Sequence, residues 1–425
     1  MPPVPQLGIT SHPPQHLLVA ALAFANPTDT TTNQTLLSRL RDILRRELAG
    51  DLEEITAATP KDTPTGETGE VGVADGWEQQ NLTVDVGFSA HGYAALGYTA
   101  NMPADLIEVP WSRLGPHVPA NPTSGDLVLH IRADNIFAVE HVLRRVEHSL
   151  AAGITTVWTL AGAQRFAPEH SNLRDEGRAL IGFHDGLSNL QPDCAADQSL
   201  IFVDPSAVPS YPPNPVPVPA PGSPGYTGQT PAPTDPTFPT DLRTPPTAEP
   251  QWTLGGSYMF VRGSILDMPS WDSQPLQAQE AAIGRFKSSG AFLDQEDTSA
   301  NKNNPPVFAT QPASTTVPPT SHVRRSNPRA TSTDAQRRIL RRGYPLIQAG
   351  AGTIKRGLTF ISFSRSLTTQ IEFMLAAWLA NPNFPQPNAG PDPLLAFETD
   401  ILAGGYYFVP ALSDATDATS WILPS

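Results

Sequence analysis

Hydrophobic and polar positions follow regular patterns along most of this chain, and their spacing predicts both strands and helices. The apolar run over residues 16–24 (HLLVAALAF) is typical of a buried strand, although a short helix has the same pattern. Every second residue is apolar in NLTVDVGFS (81–89) and in DLVLHIRA (126–133), which indicates two more strands. Residues 154–160 predict a further strand of the same region.

Two helices are predicted between these strands. Leucines and isoleucine from Thr35 to Leu48 fall on one helical face. Asp134 or Asn135 can cap the second helix, whose predicted buried face is Ile136, Val139, Leu143, Val146 and Leu150. His141 and His148 lie on the same helix and are expected near its surface. The order strand, helix, strand, strand, helix, strand predicts an α+β unit of the ferredoxin-like kind.

The second half of the chain repeats this alternation. It predicts a strand over 258–261, a helix over 276–287, a strand over 357–364 (GLTFISFS) and a helix over 369–380. Two similar halves indicate a duplicated α+β fold, that is, two ferredoxin-like domains with antiparallel sheets.

A proline-rich segment separates the two halves. About a third of residues 205–250 are proline, and such a segment is expected to form an extended or mobile surface insertion rather than a core. The predicted organisation is therefore an N-terminal domain over 1–204, the insertion over 205–250 and a C-terminal domain over 251–425. Residues 51–75 are polar and predict a loop.

Composition and charge exclude several classes of function. The net charge of -14 argues against nucleic acid or an anionic membrane as a partner. No apolar run reaches the ~20 residues that cross a bilayer. The N-terminus has neither a basic region nor an apolar core of a secretory signal, which predicts a cytoplasmic location. Cys194 is the single cysteine, so an intramolecular disulfide and a cysteine metal cluster are excluded.

One candidate for chemistry is the stretch IGFHDGLSN over residues 181–189. Gly182 and Gly186 bracket His184 and Asp185, and glycines allow the backbone to turn sharply and to approach a flat ligand closely. The Asp-Gly pair is equally typical of an ordinary turn. The stretch alone does not separate these two interpretations.

Two basic stretches in the second half carry the other candidates. SHVRRSNPR begins at Ser321, and ILRRGYP ends at Pro345. An axial histidine is the usual iron ligand of haem peroxidases, and an arginine across the iron stabilises developing negative charge. By themselves, His322 fits a solvated histidine and both arginines of the second stretch fit surface charges. The chain has no HExxH, Gly-x-Ser-x-Gly or phosphate-loop motif, which argues against a zinc protease, a serine hydrolase and a P-loop enzyme.

Taken in order, the three stretches resemble the dye-decolourising peroxidases, a family of haem enzymes. GFHDG matches the Gly-x-x-Asp-Gly motif of that family, SHVRRSNPR resembles its proximal-histidine segment, and ILRRGYP resembles the segment of its distal arginine. Weaker matches, among them GGSYMFVR and NPNFPQP, extend the resemblance over nearly the whole chain outside the proline-rich insertion.

The resemblance implies haem b held mainly by the C-terminal half. His322 would be the axial iron ligand, and Asp185 would be the distal acid-base group. Arg341, four positions before Pro345, would be the distal arginine rather than Arg342. An arginine beside the aspartate favours the ionised carboxylate, which predicts an acidic optimum.

Further positions match contacts of the haem, iron protoporphyrin IX. Arg329 matches a propionate contact, and Leu358 and Phe360 match apolar residues that line the distal pocket. A ligating histidine usually donates its other ring N–H to a carboxylate or carbonyl, and Asp392 is a candidate for this partner.

The implied activity is the reduction of hydrogen peroxide with oxidation of dyes, phenols or similar small aromatic reductants. One rival is a non-enzymatic haem-binding or haem-handling protein of the same fold, which needs only the histidine. Another is a haem-free ferredoxin-like binding module. Bulky donors need an exposed aromatic side chain to relay electrons; for Trp378 core packing is the favoured interpretation, and Tyr344 is a second weak candidate.

Overall fold

The computed structural model describes residues 2–49, 81–164, 177–207, 242–311, 314–329, 332–350 and 352–424. The loop predicted over 51–75 and most of the proline-rich insertion lie outside these residues.

The strands of the described residues form mainly one antiparallel sheet. They are β1 (His16–Phe24), β2 (Thr83–Phe88), β3 (Leu127–Ala133), β4 (Ile154–Ala163), β5 (Gly177–Arg178), β6 (His184–Asp185), β7 (Ser257–Leu266), β8 (Leu340–Arg341), β9 (Tyr344–Gly350), β10 (Thr353–Ser364) and β11 (Glu398–Val409).

The helices lie between these strands, as the alternation in sequence predicts. They are α1 (Leu7–Thr10), α2 (Thr30–Ala49), α3 (Ala90–Ala95), α4 (Trp111–Leu114), α5 (Ile136–Leu150), α6 (Ala195–Ile201), α7 (Met268–Asp272), α8 (Leu276–Ile283), α9 (His322–Arg325) and α10 (Ser332–Gln336). A π-helix occupies Leu367–Glu372 and Met374–Leu379. Short 3-10 turns lie at Thr99–Asn101, Pro205–Ala207, Gln251–Thr253, Ser299–Asn301, Val307–Ala309 and Pro393–Ala396.

Strands from both halves join in one sheet with the order β4-β1-β3-β2-β11-β7-β10-β8, and β9 pairs with β10. The two halves meet between β2 and β11, where Phe88 pairs with Phe408. The short pair β5 and β6 forms a separate hairpin that carries the Gly-x-x-Asp-Gly motif. The duplicated α+β architecture with antiparallel strands is confirmed, and the sheet continues across the boundary between the halves.

The sheet has two buried faces, which explains why its central strands are almost entirely apolar. The outer face packs against the helices and includes Leu18, Ala20, Leu22, Phe88 and Phe260. On the inner face the two halves pack on each other through Leu17, Val19, Leu160, Val261 and Ile361. The layers approach closely at Gly162, where an added Cβ would lie 2.5 Å from Cβ of Tyr344.

The predicted strands over 16–24, 81–89, 126–133 and 154–160 are confirmed within a few residues at their ends. Helix α5 begins after the predicted cap Asn135, whose side chain accepts a hydrogen bond from the backbone N–H of Phe137. Its predicted buried face is wrong at one position, because Ile136 in the first turn is 54% exposed.

The surface position predicted for His141 is also wrong. Its side chain is buried between α5 and α2, with Nε2 3.2 Å from Glu47 Oε2, whereas His148 is exposed as predicted. The apolar pattern of α5 does not reveal this, because the contact with Glu47 is made with another helix.

Two helices of the second half differ from prediction in length or type. Helix α8 ends at Ile283 rather than at residue 287, because Gly284 adopts the left-handed conformation that terminates helices. The helix predicted over 369–380 is the π-helix, and apolar spacing does not fix which carbonyl each N–H reaches. None of the helices in the described ranges is long and apolar enough to span a bilayer.

Candidate active site

His322 begins helix α9 and is oriented by a buried carboxylate. Its Nδ1 lies 3.0 Å from Oδ2 of Asp392, which is 1% exposed. The other oxygen of Asp392 accepts a hydrogen bond of 2.9 Å from the backbone N–H of Leu394. Since a carboxylate only accepts, Nδ1 is the nitrogen that carries the proton in the neutral His322 imidazole, and Nε2 then carries the lone pair. The candidate pairing of Asp392 with His322 is therefore present.

Nε2, the other ring nitrogen of His322, has no hydrogen-bond partner among the described residues. Protein atoms leave 36% of the His322 side chain uncovered. A neutral imidazole whose Nε2 lone pair is not used by the protein suits a metal ligand.

Charges on both sides act on this imidazole. Burial lowers the pKa of His322, but the Asp392 carboxylate outweighs it, so that the pKa is raised overall. Arg341 opposes protonation and Asp185 favours it. Asp185 and Arg341 therefore lie within electrostatic range of the same ring, although the three residues come from distant parts of the chain.

Arg325 lies in the same helix as His322 and was not predicted as a residue of the site. It supports the segment that carries Asp392. Its guanidinium is fully buried and donates to main-chain carbonyls of Trp378 (3.0 Å) and Leu379 (3.3 Å). It also donates to carbonyls of Phe384 and Gly390. The backbone N–H of Asp392 donates to the Leu379 carbonyl at 2.7 Å, so that one set of bonds fixes both members of the His322 pair.

Asp185 lies in β6 of the separate hairpin, opposite Gly177 of β5. Its Oδ1 accepts a hydrogen bond of 2.7 Å from the backbone N–H of Gly186, while Oδ2 has no hydrogen-bond partner among the described residues. An added Cβ on Gly343 would lie 3.4 Å from this Oδ2 and 3.3 Å from Cδ1 of Leu358. The backbone just after Arg341 thus passes close to the Asp185 carboxylate.

Arg341 lies in β8 and belongs to the outer face of the sheet. It pairs with Ser362 of β10, and residues directly opposite in an antiparallel pair share a face. Since side chains alternate along a strand, Leu358 and Phe360 lie on this face too. The Arg341 guanidinium donates to the carbonyl of Leu187 at 3.0 Å, in the loop that follows Asp185.

The neighbouring Arg342 lies on the inner face. It is 3% exposed and its guanidinium donates to the carbonyl of Ile9 at 3.2 Å. Of the two adjacent arginines, Arg341 is therefore the one on the side of His322.

Arg329 and Arg285 form a basic region beside Arg341, in which Arg285 is buried and Arg329 half-buried. Burial, with the charges of Arg329 and Arg341, lowers the pKa of Arg285 to about 9. Burial and neighbouring arginines lower the pKa of Arg329 to about 10. Within the described residues no carboxylate forms an ion pair with either one, and Arg329 donates to the carbonyls of Asn327 (2.8 Å) and Val323 (3.3 Å). A bound anion would relieve this repulsion.

Leu358 and Phe360 are half-buried apolar side chains of β10. Phe360 packs edge-on against Phe260, with 6.2 Å between ring centroids. They share the outer face with Arg341, so that the predicted polar and apolar residues are brought to one side of the sheet.

His184 has contacts away from this site. Its Nε2 lies 2.7 Å from Nη2 of Arg178 and 3.1 Å from the Ser288 carbonyl. Trp378 is 1% exposed and Tyr344 is fully buried, with its hydroxyl donating to the Pro14 carbonyl at 2.7 Å. The core-packing interpretation of Trp378 is confirmed, and neither ring offers a surface to a bulky donor.

Two family models match this chain: "Dyp-type peroxidase, N-terminal" over residues 15–164 and "Dyp-type peroxidase, C-terminal" over residues 230–414. A curated relative named deferrochelatase, from Escherichia coli (strain K12), is 26% identical over 303 residues, covering 69% of this chain and 57% of the relative. A deferrochelatase of Shigella flexneri gives the same identity and coverage. The chain thus spans little more than half the length of these relatives.

Solved structures share the fold over nearly the full length. A DyP-type peroxidase from Streptomyces coelicolor has a TM-score of 0.69 at 22% identity, covering 99% of this chain and 95% of the other. Ferric DtpA from Streptomyces lividans has a TM-score of 0.69 at 22% identity, with 96% and 91% covered. At this identity the likeness shows the fold, and the two sequence matches add the family. Both halves are matched in the expected order, and the chain belongs to the DyP-type peroxidase family of haem proteins.

Proposed function

We propose that this protein is a haem b peroxidase that reduces hydrogen peroxide and oxidises dyes, phenols or similar small aromatic reductants. The observation that carries the proposal is that Asp185 and Arg341 lie within electrostatic range of the His322 imidazole, with the backbone after Arg341 close to the Asp185 carboxylate. Haem binding alone requires only the imidazole. A carboxylate and a guanidinium near that imidazole suit the cleavage of a peroxide bond.

The residues present fit a haem. His322 would hold the iron through Nε2, because Nδ1 is occupied by Asp392. The guanidiniums of Arg329 and Arg285 would face the propionates; among the described residues Asp294 acts on both electrostatically, but no carboxylate forms an ion pair with either. Leu358 and Phe360 would keep the distal side apolar. The haem iron, when bound, supplies the redox equivalents for dividing the oxygen–oxygen bond.

Asp185 would move one proton between the two peroxide oxygens. Its Oδ1 is held by the backbone N–H of Gly186, so the carboxylate has one orientation, and Oδ2 is available to accept the proton and then to return it. Arg341 would stabilise the negative charge that develops as the oxygens separate.

A non-enzymatic haem-binding protein is the second candidate, and the deferrochelatase name of the curated relatives favours keeping it. Such a protein gains nothing from a carboxylate with an unbonded oxygen beside an arginine. The two candidates differ in their response to peroxide.

The deciding experiment is the absorption spectrum of the haem-loaded protein before and after one equivalent of hydrogen peroxide. We expect a rapid change of the Soret band that reverses when a phenol or dye is added and is oxidised. A Soret band that only bleaches slowly, with no donor oxidation, would leave a haem-binding protein.

Two variants test the assigned roles. Asp185→Asn should keep its haem and slow the peroxide step by about 10²–10⁴-fold, the usual contribution of a positioned acid-base group. His322→Ala should lose stable haem binding. Full peroxide reactivity in the first variant or unchanged haem content in the second would remove the respective residue from the mechanism.

A further inference from the structure

The side chain of Asn189 bonds to the backbone of Arg341 in both directions. Its Nδ2 donates to the Arg341 carbonyl at 2.9 Å, and its Oδ1 accepts from the Arg341 N–H at 3.0 Å. Asn189 is 6% exposed, so this pair of bonds is shielded from water. The Asn189 carboxamide thus makes the two backbone hydrogen bonds that a neighbouring strand would otherwise make with Arg341.

The position of β8 in the sheet explains why these bonds matter. β8 is the last strand of the sheet order, and its partner β10 lies on one side only. The N–H of Arg342 bonds to the Ile361 carbonyl in β10, at 2.8 Å. Since successive residues of a strand direct their N–H and C=O to opposite sides, those of Arg341 point to the unpaired edge. Asn189 satisfies both groups there.

The other end of this connection is the loop that begins at Asp185. Oδ1 of Asn189 also accepts from the N–H of Leu190 at 3.1 Å, which fixes the carboxamide within its own loop. The guanidinium of Arg341 donates to the Leu187 carbonyl at 3.0 Å. Residues 185–189 therefore carry the carboxylate at one end and hold Arg341 by backbone and side chain at the other.

We propose that Asn189 is a positioning residue that sets the separation between the Asp185 carboxylate and the Arg341 guanidinium. The inference rests on the peroxidase activity proposed above, because only a reaction between these groups makes their separation matter. Asn189 touches neither group directly and acts through the backbone of Arg341. A displacement of about 1 Å is enough to cost on the order of 10²-fold in rate.

The test compares Asn189→Ala and Asn189→Ser with the control Asn33→Ala, all haem-loaded. Asn33 is similarly buried and its Nδ2 donates to the carbonyls of Asn26 and Ala95 at 3.0 Å, in the helical layer of the N-terminal half. The control thus loses comparable bonds away from the Arg341 strand.

Three quantities are measured: hydrogen–deuterium exchange of a peptide covering residues 339–343, the rate constant of the spectral change with peroxide, and KM for a phenol. In Asn189→Ala we expect about tenfold faster exchange at Arg341, as for a lost hydrogen bond, and a peroxide step about ten- to hundredfold slower. KM for the phenol should not change. Asn189→Ser, which keeps one polar atom, should recover part of the rate, and Asn33→Ala should match the wild type in all three.

Faster exchange with an unchanged peroxide rate would overturn the proposal, because the bonds would then be merely structural. Unchanged exchange in Asn189→Ala would overturn it as well. If the wild-type protein itself did not respond to peroxide, the proposed peroxidase activity would be refuted, and with it the role of Asn189 in that activity. The exchange rates would still show whether Asn189 holds the backbone of Arg341.

Discussion

Acid should destabilise the fold through His130, a fully buried histidine of β3 on the inner face of the sheet. Its Nδ1 lies 2.9 Å from Oδ2 of Asp85, and its ring packs on Phe363 with 5.8 Å between centroids. Burial and the charges of Arg132 and Arg342 lower the pKa of His130 to about 4, although Asp85 acts in the opposite direction. His130 is thus held neutral at neutral pH.

The sign of the effect follows from the protons bound in each state. In the unfolded chain a histidine has a pKa of ~6.5, so between that value and about 4 the unfolded state binds more protons than the folded state. The free energy of unfolding therefore falls as the pH falls through this window, and the loss is complete below about 4. At ~1.4 kcal/mol for each pKa unit, His130 contributes about 3 kcal/mol to this loss.

Denaturant unfolding at several pH values between 7 and 4 measures this contribution. His130→Gln keeps a donor for Asp85 but cannot titrate, so its free energy of unfolding should decline less over the window than that of the wild type, by about 3 kcal/mol. The control is His148→Gln, at an exposed histidine of α5, which should follow the wild type. Parallel curves for His130→Gln and the wild type would refute the reasoning, whatever their vertical offset.

Three substitutions test the site. Asp392→Ala should weaken haem retention by about 10–100-fold, the usual cost of losing the partner of a ligating histidine, as measured by competition for haem with an apoprotein acceptor; equal retention would contradict it. Arg329→Gln should lower haem affinity yet not destabilise the haem-free protein in thermal unfolding, because it removes a repelled buried cation; unchanged affinity would exclude a propionate contact. Gly343→Ala should slow the peroxide step with haem retained, since the added methyl group contacts Leu358 and the Asp185 carboxylate at 3.3 and 3.4 Å; a wild-type rate would show that Asp185 tolerates the contact.

The periodicity of the chain predicted the strands and most helices because burial on a face is a property of neighbouring residues. It failed where a distant element decides. Ile136 occupies an apolar position in the pattern of α5. It lies in the first turn of the helix, however, and its side chain is exposed there. His141 is polar by type, yet it is buried because Glu47 of another helix lies beside it. Gly284 ends α8 through its left-handed conformation, and the apolar spacing of the sequence does not predict this end.

The motifs indicated His322, Asp185 and Arg341, and Asp185 and Arg341 lie within electrostatic range of the His322 ring. The residues that hold them were missed, because their bonds go to main-chain atoms that no residue pattern identifies. Arg325 reaches carbonyls more than fifty positions away, and Asn189 reaches Arg341 across 152 positions. The one sequence feature that points to Asn189 is its position three residues after Gly186 of the Asp-Gly pair.

Two adjacent arginines link the acid stability of the fold to the site: Arg341, the last residue of β8, and Arg342, which follows it. Arg341 faces outward toward His322, while Arg342 faces inward and is one of the charges that lower the pKa of His130. The sequence predicts an acidic optimum for the peroxide chemistry, but the inner face loses stability over the same pH range. The acid limit of activity should then be set by unfolding and not by the distal carboxylate. On this reasoning His130→Gln extends activity to lower pH without altering the rate at neutral pH; an unchanged acid limit, with improved acid stability, would assign the limit to the chemistry instead.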